Sequence, residues 1–275
     1  MRCGCFFALR PFCNGAEEAS ARMPGRIKKK RRKDEKRMYR YELHCHTVET
    51  SVCGKWRAAD MVQRYFERGY AGICVTDHLH PKFLSKIDHG GDWQCCVDAF
   101  MKGYQETKAA AASLGMDAIF GIEIQFEEDK DKEYLLYGVD EQWLRENPWL
   151  CSMGHKAFYE KFHDQVLIIQ AHPYRDNDGV FLDSVHGVEV VNRHPRSQNR
   201  NERTWALAKE NPWLYRICGS DAHRFGDEAR AAVIFEERIS DSKALRKAIL
   251  EKKYCLWHNE TDPDGDIYTI ENVCG

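Results

Sequence analysis

The sequence predicts an α/β fold built on a mainly parallel sheet or barrel, and three observations carry that reading. From Tyr39 onward, short apolar runs alternate with stretches of helical period. The length of 275 residues suits a single α/β barrel of roughly 200 to 250 residues with an appendage. His, Asp and Glu residues gather at the ends of the apolar runs. With 43% hydrophobic, 12% aromatic and 31% charged residues, the chain can bury a sizeable core, which excludes global disorder and collagen-like structure. No apolar run approaches the roughly 18 residues that span a bilayer.

Taken in order, strands are expected at 41–45, 72–76, 118–124, 133–139, 166–171, 187–192 and 216–219, with later short strands at 232–235 and 254–257. Between them, a helix over 58–68 places Met61, Val62, Tyr65 and Phe66 on one face. The Ala-rich stretch 95–114 predicts a long helix, and 197–209 and 241–252 have similar periodicity. No internal repeat is visible.

Charge divides the chain. Residues 1–38 hold twelve Lys/Arg against four Asp/Glu, a balance of +8 that leaves −10 on residues 39–275 of the −2 total. An acidic body argues against stable nucleic-acid binding over a broad surface. The segment 1–38 ends in Lys28 to Arg37, ten residues of which eight are basic, and reads as a disordered extension ahead of one domain, 39–275. KKKRRKDEKR before Met38 also fits a purine-rich ribosome-binding region read as protein, with translation starting at Met38. The twelve cysteines form no CxxC pairs, and MRCGCFFALRPFC holds only a brief apolar stretch, so reduced thiols and a cytoplasmic location are expected.

Chemistry concentrates at five strand ends. His44 and His46 close the first strand in ELHCH, and residues i and i+2 of an extended backbone share a face, so one cation can be gripped by both. Asp77 and His78 follow the second strand in CVTDH, Glu123 lies in FGIEI, His172 ends IIQAHP, and Asp221 and His223 end ICGSDAH. In a parallel barrel these ends open on one face. Each element alone has an ordinary structural reading as a polar pair, core carboxylate or turn cap. Together they put so many polar groups in one place that burial is costly unless they are paired or bind cations.

The ordered set ELHCHT, VTDH, GIE, QAHP, GSDAH, with YLLYGVDEQWL and EVVN between, resembles the PHP (polymerase and histidinol phosphatase) metallophosphoesterases from Tyr39 onward, in their stand-alone histidinol-phosphatase-like branch. The resemblance implies a distorted seven-stranded β/α barrel holding two or three divalent cations, with Zn, Mn and Fe all compatible with imidazole and carboxylate donors. It gives His44, His46, Glu123 and Asp221 to one cation, with Glu123 bridging to a second that His172 also binds, and His78 and His223 to a third. Two positions depart from the family pattern. Where relatives carry Asp or His after HxH, this chain reads ETSVCG, with Val52 between Ser51 and Cys53. The His usual between the bridging Glu and AHP has no clear match, and His155 and His163 qualify by position only.

The implied activity is hydrolysis of a small phosphorylated metabolite, a phosphomonoester, by metal-activated hydroxide. His223 or a bound water is the expected proton donor to the leaving alkoxide. Asp77 is expected either to orient His78 or to cap the turn after its strand. Arg175 and Arg193 lie near strand ends, where a phosphate contact competes with an ordinary surface role. His80 and His194 are further candidates to line the site. The rival readings are an oligonucleotide phosphodiesterase, an amidohydrolase and a regulatory metal-binding domain without turnover. Neither a membrane partner nor an oligomeric state is legible.

Overall fold

The computed structural model describes residues 38–176, 179–259 and 268–272, all within one unit, Lys36–Gly275. The basic extension predicted over 1–38 lies, apart from Met38, outside the described residues. The chain runs β1 (Tyr39–Cys45), α1 (Ala58–Glu67), β2 (Gly72–Val75), β3 (His78–Leu79), α2 (Pro81–Leu84), α3 (Trp93–Leu114), β4 (Asp117–Phe120), β5 (Ile122–Phe126) and β6 (Asp129–Tyr137). It continues through α4 (Glu141–Glu146), α5 (His155–Phe162), β7 (Leu167–Gln170), β8 (Gly187–Asn192), α6 (Asn201–Glu210) and β9 (Tyr215–Gly219). The last elements are β10 (Ala231–Phe235), α7 (Ser242–Leu250), β11 (Tyr254–Asn259) and β12 (Tyr268–Asn272).

Two six-stranded mixed sheets result, in the orders β12-β11-β10-β1-β2-β4 and β3-β5-β6-β7-β8-β9. The expected predominance of parallel pairing is corrected, because β10, β11 and β12 pair antiparallel and β6 runs antiparallel to both its neighbours. The expected strand 72–76 is met by β2, one residue shorter and followed by the separate β3, whereas the expected strand 118–124 is interrupted at Gly121. Thr76 N–H to Cys45 O and Gly121 N–H to Val75 O continue the first sheet's parallel ladders just past β2 and β4, and β3 and β5 begin beyond them. These two strands join the second sheet, where His78 and Glu123 become direct parallel partners. The end of β1 meets the end of β9 through Asp221 N–H to His44 O at 2.8 Å and His46 N–H to Ala222 O at 3.0 Å.

Helix faces follow the predicted period with one correction. Met61, Val62 and Tyr65 of α1 are buried, but Phe66 is 44% exposed, so the apolar face is narrower than expected. Asp92 caps α3 and Asp241 caps α7, each carboxylate accepting a backbone N–H of the first turn. The main core gathers Leu43, Ile119, Ile122, Leu135, Val188 and Ile217 from the strands with Val97 and Phe100 of α3. Removing such side chains from water, at roughly 25 cal/mol per Å² of apolar surface, supplies the rigid frame on which polar strand ends can be held together. Among the described residues, no helix is long and apolar enough to cross a membrane.

Candidate metal centre

All seven predicted ligands arrive at one place. His44 and His46 come from β1 and the residue after it, His78 from β3, Glu123 from β5, His172 from just past β7, and Asp221 and His223 from just past β9. His44 and His46 are wholly buried, Glu123 and Asp221 are 1% exposed, and His78 and His172 are 7% exposed. Glu123 sits at the middle: Oε1 is 3.2 Å from His44 Nε2 and 3.1 Å from His172 Nε2, while Oε2 is 3.3 Å from His46 Nε2 and 3.1 Å from His78 Nδ1. Asp221 Oδ1 lies 3.2 Å from His46 Nε2 and 3.5 Å from His44 Nε2. The ring of His46 is flanked by those of His78 and His223, with centroids 4.3 and 4.2 Å away.

Among the described residues, five sets of three donors lie within 4.8 Å of one another: His44, His46 and Asp221; His44, Glu123 and His172; His78, Glu123 and Glu133; His46, His78 and His223; and His194, Asp221 and His223. His44 Nε2, His78 Nδ1 and Glu123 Oε2 are buried with no hydrogen-bond partner. Buried polar atoms are as a rule paired, so orphaned nitrogens and a carboxylate oxygen converging at about 3 Å are what a cation among them would satisfy. The donor set, imidazoles and carboxylates without a buried lysine among them, fits divalent metals.

Electrostatics in the cluster agrees. Burial opposes charge on Glu123 and Asp221, but the imidazoles around them, His44 first, hold both carboxyls well below their usual range. Burial likewise opposes protonation of His78 and His172, yet His78, beside Glu123, rises to about 10, and His172, hydrogen-bonded to Glu123 and Glu133, to about 9. His46 goes the other way, well below its usual value, through burial and then the charges of His223 and His78. Protons on the raised imidazoles would compete with a cation for the same lone pairs.

A second layer orients the first. Glu189 Oε1 accepts from His44 Nδ1 at 3.0 Å, which leaves Nε2 as the lone-pair atom facing Glu123. Glu189 Oε2 accepts from the His172 N–H and from Asn192 Nδ2, both at 2.9 Å. Gly219 is required by close approach, since a Cβ there would overlap His44 Cβ and stand 2.8 Å from Glu189 Oε1. His172 and Asp221 hold positive φ values of 29° and 51°, a strained backbone for residues with a Cβ.

Glu133 and Glu189 extend the site beyond its predicted ligands. Glu133 of β6 reaches His172 Nε2 at 3.3 Å and His78 Nδ1 at 3.5 Å. His155 and His163 turn elsewhere: His155 Nε2 lies 2.9 Å from Ser184 O with its ring stacked on Tyr134, and His163 Nδ1 lies 3.1 Å from Tyr159 O. Asp77 does not touch the His78 ring. Its carboxylate accepts from Thr47 N and Oγ1 and from Ser51 Oγ at 2.6 to 2.7 Å, and burial pushes it up to about 6, so it braces the turn after β1 and not the one after its own strand. His80 caps α2 through Nδ1 to Phe83 N–H.

Arg175 is brought to the site, its Nη2 donating to Asp221 Oδ2 and Asn192 Oδ1 at 2.7 Å. Arg193 gives its N–H to Gly219 O, and His194 Nδ1 lies 2.9 Å from Asp221 O. A cavity of about 310 Å³ opens over the cluster, lined by Cys53, His78, His172, Arg175, His223 and Arg224 among others. Burial raises the Cys53 thiol, but hydrogen bonds with His223 and His78 outweigh it and bring it down to about 6.

Residues 42–251 match the PHP domain. Among curated proteins, none matches. Of solved structures, a two-domain protein from Bacteroides vulgatus containing a predicted PHP-like metal-dependent phosphoesterase is similar over 82% of this chain, with a TM-score of 0.57 and 17% identity. The chain spans 66% of that protein. A proposed metal-dependent phosphoesterase from Bifidobacterium adolescentis matches over 76% of this chain and 95% of its own at a TM-score of 0.45 and 15% identity. An amidohydrolase from Chromobacterium violaceum, solved with sulfate and no metal, matches over 68% and 89% at 0.46 and 16%.

Proposed function

The chain belongs to the PHP domain family, and from that premise we propose that it is a metal-dependent phosphoesterase acting on a small phosphomonoester. The observation that carries this reading is the convergence of unpartnered His44, His78 and Glu123 atoms beneath an open cavity. Divalent cations held there supply acidified water and neutralise charge on the phosphoryl oxygens. We assign His44, His46, Glu123 and Asp221 to one cation, Glu123, His172 and Glu133 to a second, and His78 with His223 to a third. Arg175 orients Asp221 and reaches the cavity, where its guanidinium meets a phosphate oxygen. His223 serves as ligand rather than acid, because its Nδ1, 2.9 Å from the Asp221 carbonyl oxygen, spends its proton there.

The substrate class follows from size and charge. A cavity near the lower end of the ligand-site range, in an acidic body, suits a small phosphorylated metabolite of the histidinol-phosphate kind better than an oligonucleotide. We further read the two sheets as parts of one distorted seven-stranded barrel, supported by the hydrogen bonds between the ends of β1 and β9. We place this domain over 39–275 and the protein in the cytoplasm, a reading supported by the free cysteines of the described residues.

The test is metal quantification on the full chain, followed by Zn, Mn or Fe loading. The loaded protein is assayed with sugar and amino-alcohol phosphates, short oligonucleotides and amides. Monoester hydrolysis that chelator abolishes is expected. Bound metal with no phosphoester hydrolysed would overturn the reading, and preference for oligonucleotides or amides would replace the substrate class.

A further inference from the structure

The position between His78 and His223 offers two imidazoles, and a thiol lines the cavity above it. His46 belongs to the same donor set, but its Nε2 already faces Asp221 at 3.2 Å and Glu123 at 3.3 Å. Cys53 lines the same cavity as His78 and His223. The thiols of Cys45, Cys151 and Cys218 are spent differently, each donating to a backbone carbonyl in the core.

The segment carrying Cys53 is held to both histidines. Asp77 binds Thr47 and Ser51, and Ser51 Oγ accepts the His78 N–H at 3.0 Å, which ties the loop to the His78 backbone. Lys55 N–H donates to His223 O at 2.8 Å, which ties it to the His223 backbone. Between these anchors Gly54 packs so closely on the Thr47 carbonyl that a Cβ would overlap it, so the turn has little room for another course. A thiol on a loop anchored beside both histidines, on the wall of the cavity they line, is placed to reach a cation between them.

We propose that Cys53 is a thiolate ligand of the cation position formed by His78 and His223, giving that position a preference for thiophilic cations such as Zn²⁺, Co²⁺ or Cd²⁺ over Mn²⁺ or Mg²⁺. This rests on reading the buried cluster as a metal centre. The thiol proton leaves as the cation binds, and no electron is transferred. A soft ligand at one position and oxygen-rich ligands around Glu123 make the positions chemically unequal, so a mixed complement of cations is the expected loaded state.

The experiment titrates the metal-free full-length protein and its Cys53→Ser and Cys53→Asp variants with Co²⁺ under a phosphine reductant, reading absorption and bound metal per chain. The parent should show a thiolate-to-cobalt charge-transfer band in the near ultraviolet that Cys53→Ser lacks. Cys53→Ser should also bind Cd²⁺ at its weakest position about tenfold less tightly or worse, as loss of a ligand should cost no less than loss of a ligand's own support. Cys53→Asp should bind Mn²⁺ there without the band. Circular dichroism checks that the variants fold. Full cobalt loading without the band in the parent, or a band surviving in Cys53→Ser, overturns the thiolate ligand and leaves the metal centre standing. Failure of the folded parent to bind cobalt at all, with no d–d bands, overturns both.

Discussion

Two buried carboxylates, Glu42 of β1 and Glu123 of β5, are treated in opposite ways. Glu42, on β1 ahead of His44, is wholly buried, and protein donors take both its oxygens: Oε1 accepts from Leu43, His44 and Ser220 N–H at 2.9 to 3.1 Å, and Oε2 from Tyr65 OH at 2.8 Å. Glu123, equally buried, faces four imidazole nitrogens and keeps an oxygen without a hydrogen bond. The first carboxylate joins strands, since its donors come from β1, from α1 and from the residue after β9. The second is held ready for something the polypeptide does not supply. Buried charge alone therefore does not mark function here; what marks it is burial with the hydrogen bonding left incomplete.

The largest effect should come from Glu123→Gln. Losing the central charge should empty two cation positions and take turnover to background. Urea denaturation of the metal-free variant should stay within about 1 kcal/mol of the parent, because the amide keeps the shape. Metal analysis and steady-state kinetics read the first outcome. Native metal content with normal activity would erase the distinction between the two carboxylates.

Glu42→Ala should do the reverse. Four buried donors would lose their acceptor, costing about 3 kcal/mol or more in denaturant midpoint experiments, while folded molecules keep their metals. The milder Glu42→Gln sharpens the point through pH. Burial pushes the Glu42 carboxyl up to about 7, against hydrogen bonds from Ser220, His44 and Tyr65 that pull it down. A carboxyl raised in the folded state contributes stability that is fully present below the ordinary value of about 4.5 and is lost as pH rises through about 7. Metal-free parent protein should thus lose stability relative to Glu42→Gln by about 1.4 kcal/mol per pH unit across that window and hold level above it. A constant difference from pH 4.5 to 8 would show that Glu42 is ionised throughout.

Much of this site was legible because its ligands end apolar strands, and a strand end is readable from hydrophobic pattern alone. His44 and His46 in ELHCH, and Asp221 and His223 in GSDAH, needed only that. Glu133 was not legible in the same way: DKDKEYLLY reads as a charged strand opening, and only the antiparallel pairing of β6 with β5 and β7 carries one of its many acids inward. Glu189 was hidden in an apolar run whose other side chains are core. The helices α4 and α5, at six and eight residues, are too short for their period to stand out. The interruption at Gly121 depends on which strand lies alongside, a fact of tertiary structure.

Two smaller effects separate position in the sequence from position in space. Glu133→Gln should weaken cation binding at the position shared with His172 by roughly tenfold to a hundredfold, seen as partial metal loss on dialysis and reduced turnover. His155→Gln should leave metal content and activity unchanged and cost about 1 kcal/mol through the bond to Ser184. Metal loss in His155→Gln but not in Glu133→Gln would invert the assignment.

The left-handed backbone at His172 and Asp221 has a consequence for how these positions respond to selection. Each is held in a conformation that costs about 1–3 kcal/mol for an ordinary residue, and glycine or asparagine occupies it more readily. Variants enriched only for thermal survival should accumulate such residues at 172 and 221, whereas variants enriched for turnover should keep the imidazole and the carboxylate. At these two sites the chain's fitness for folding and its fitness for chemistry point to different amino acids, so the ratio of the two enrichments would map the centre without any ligand being present.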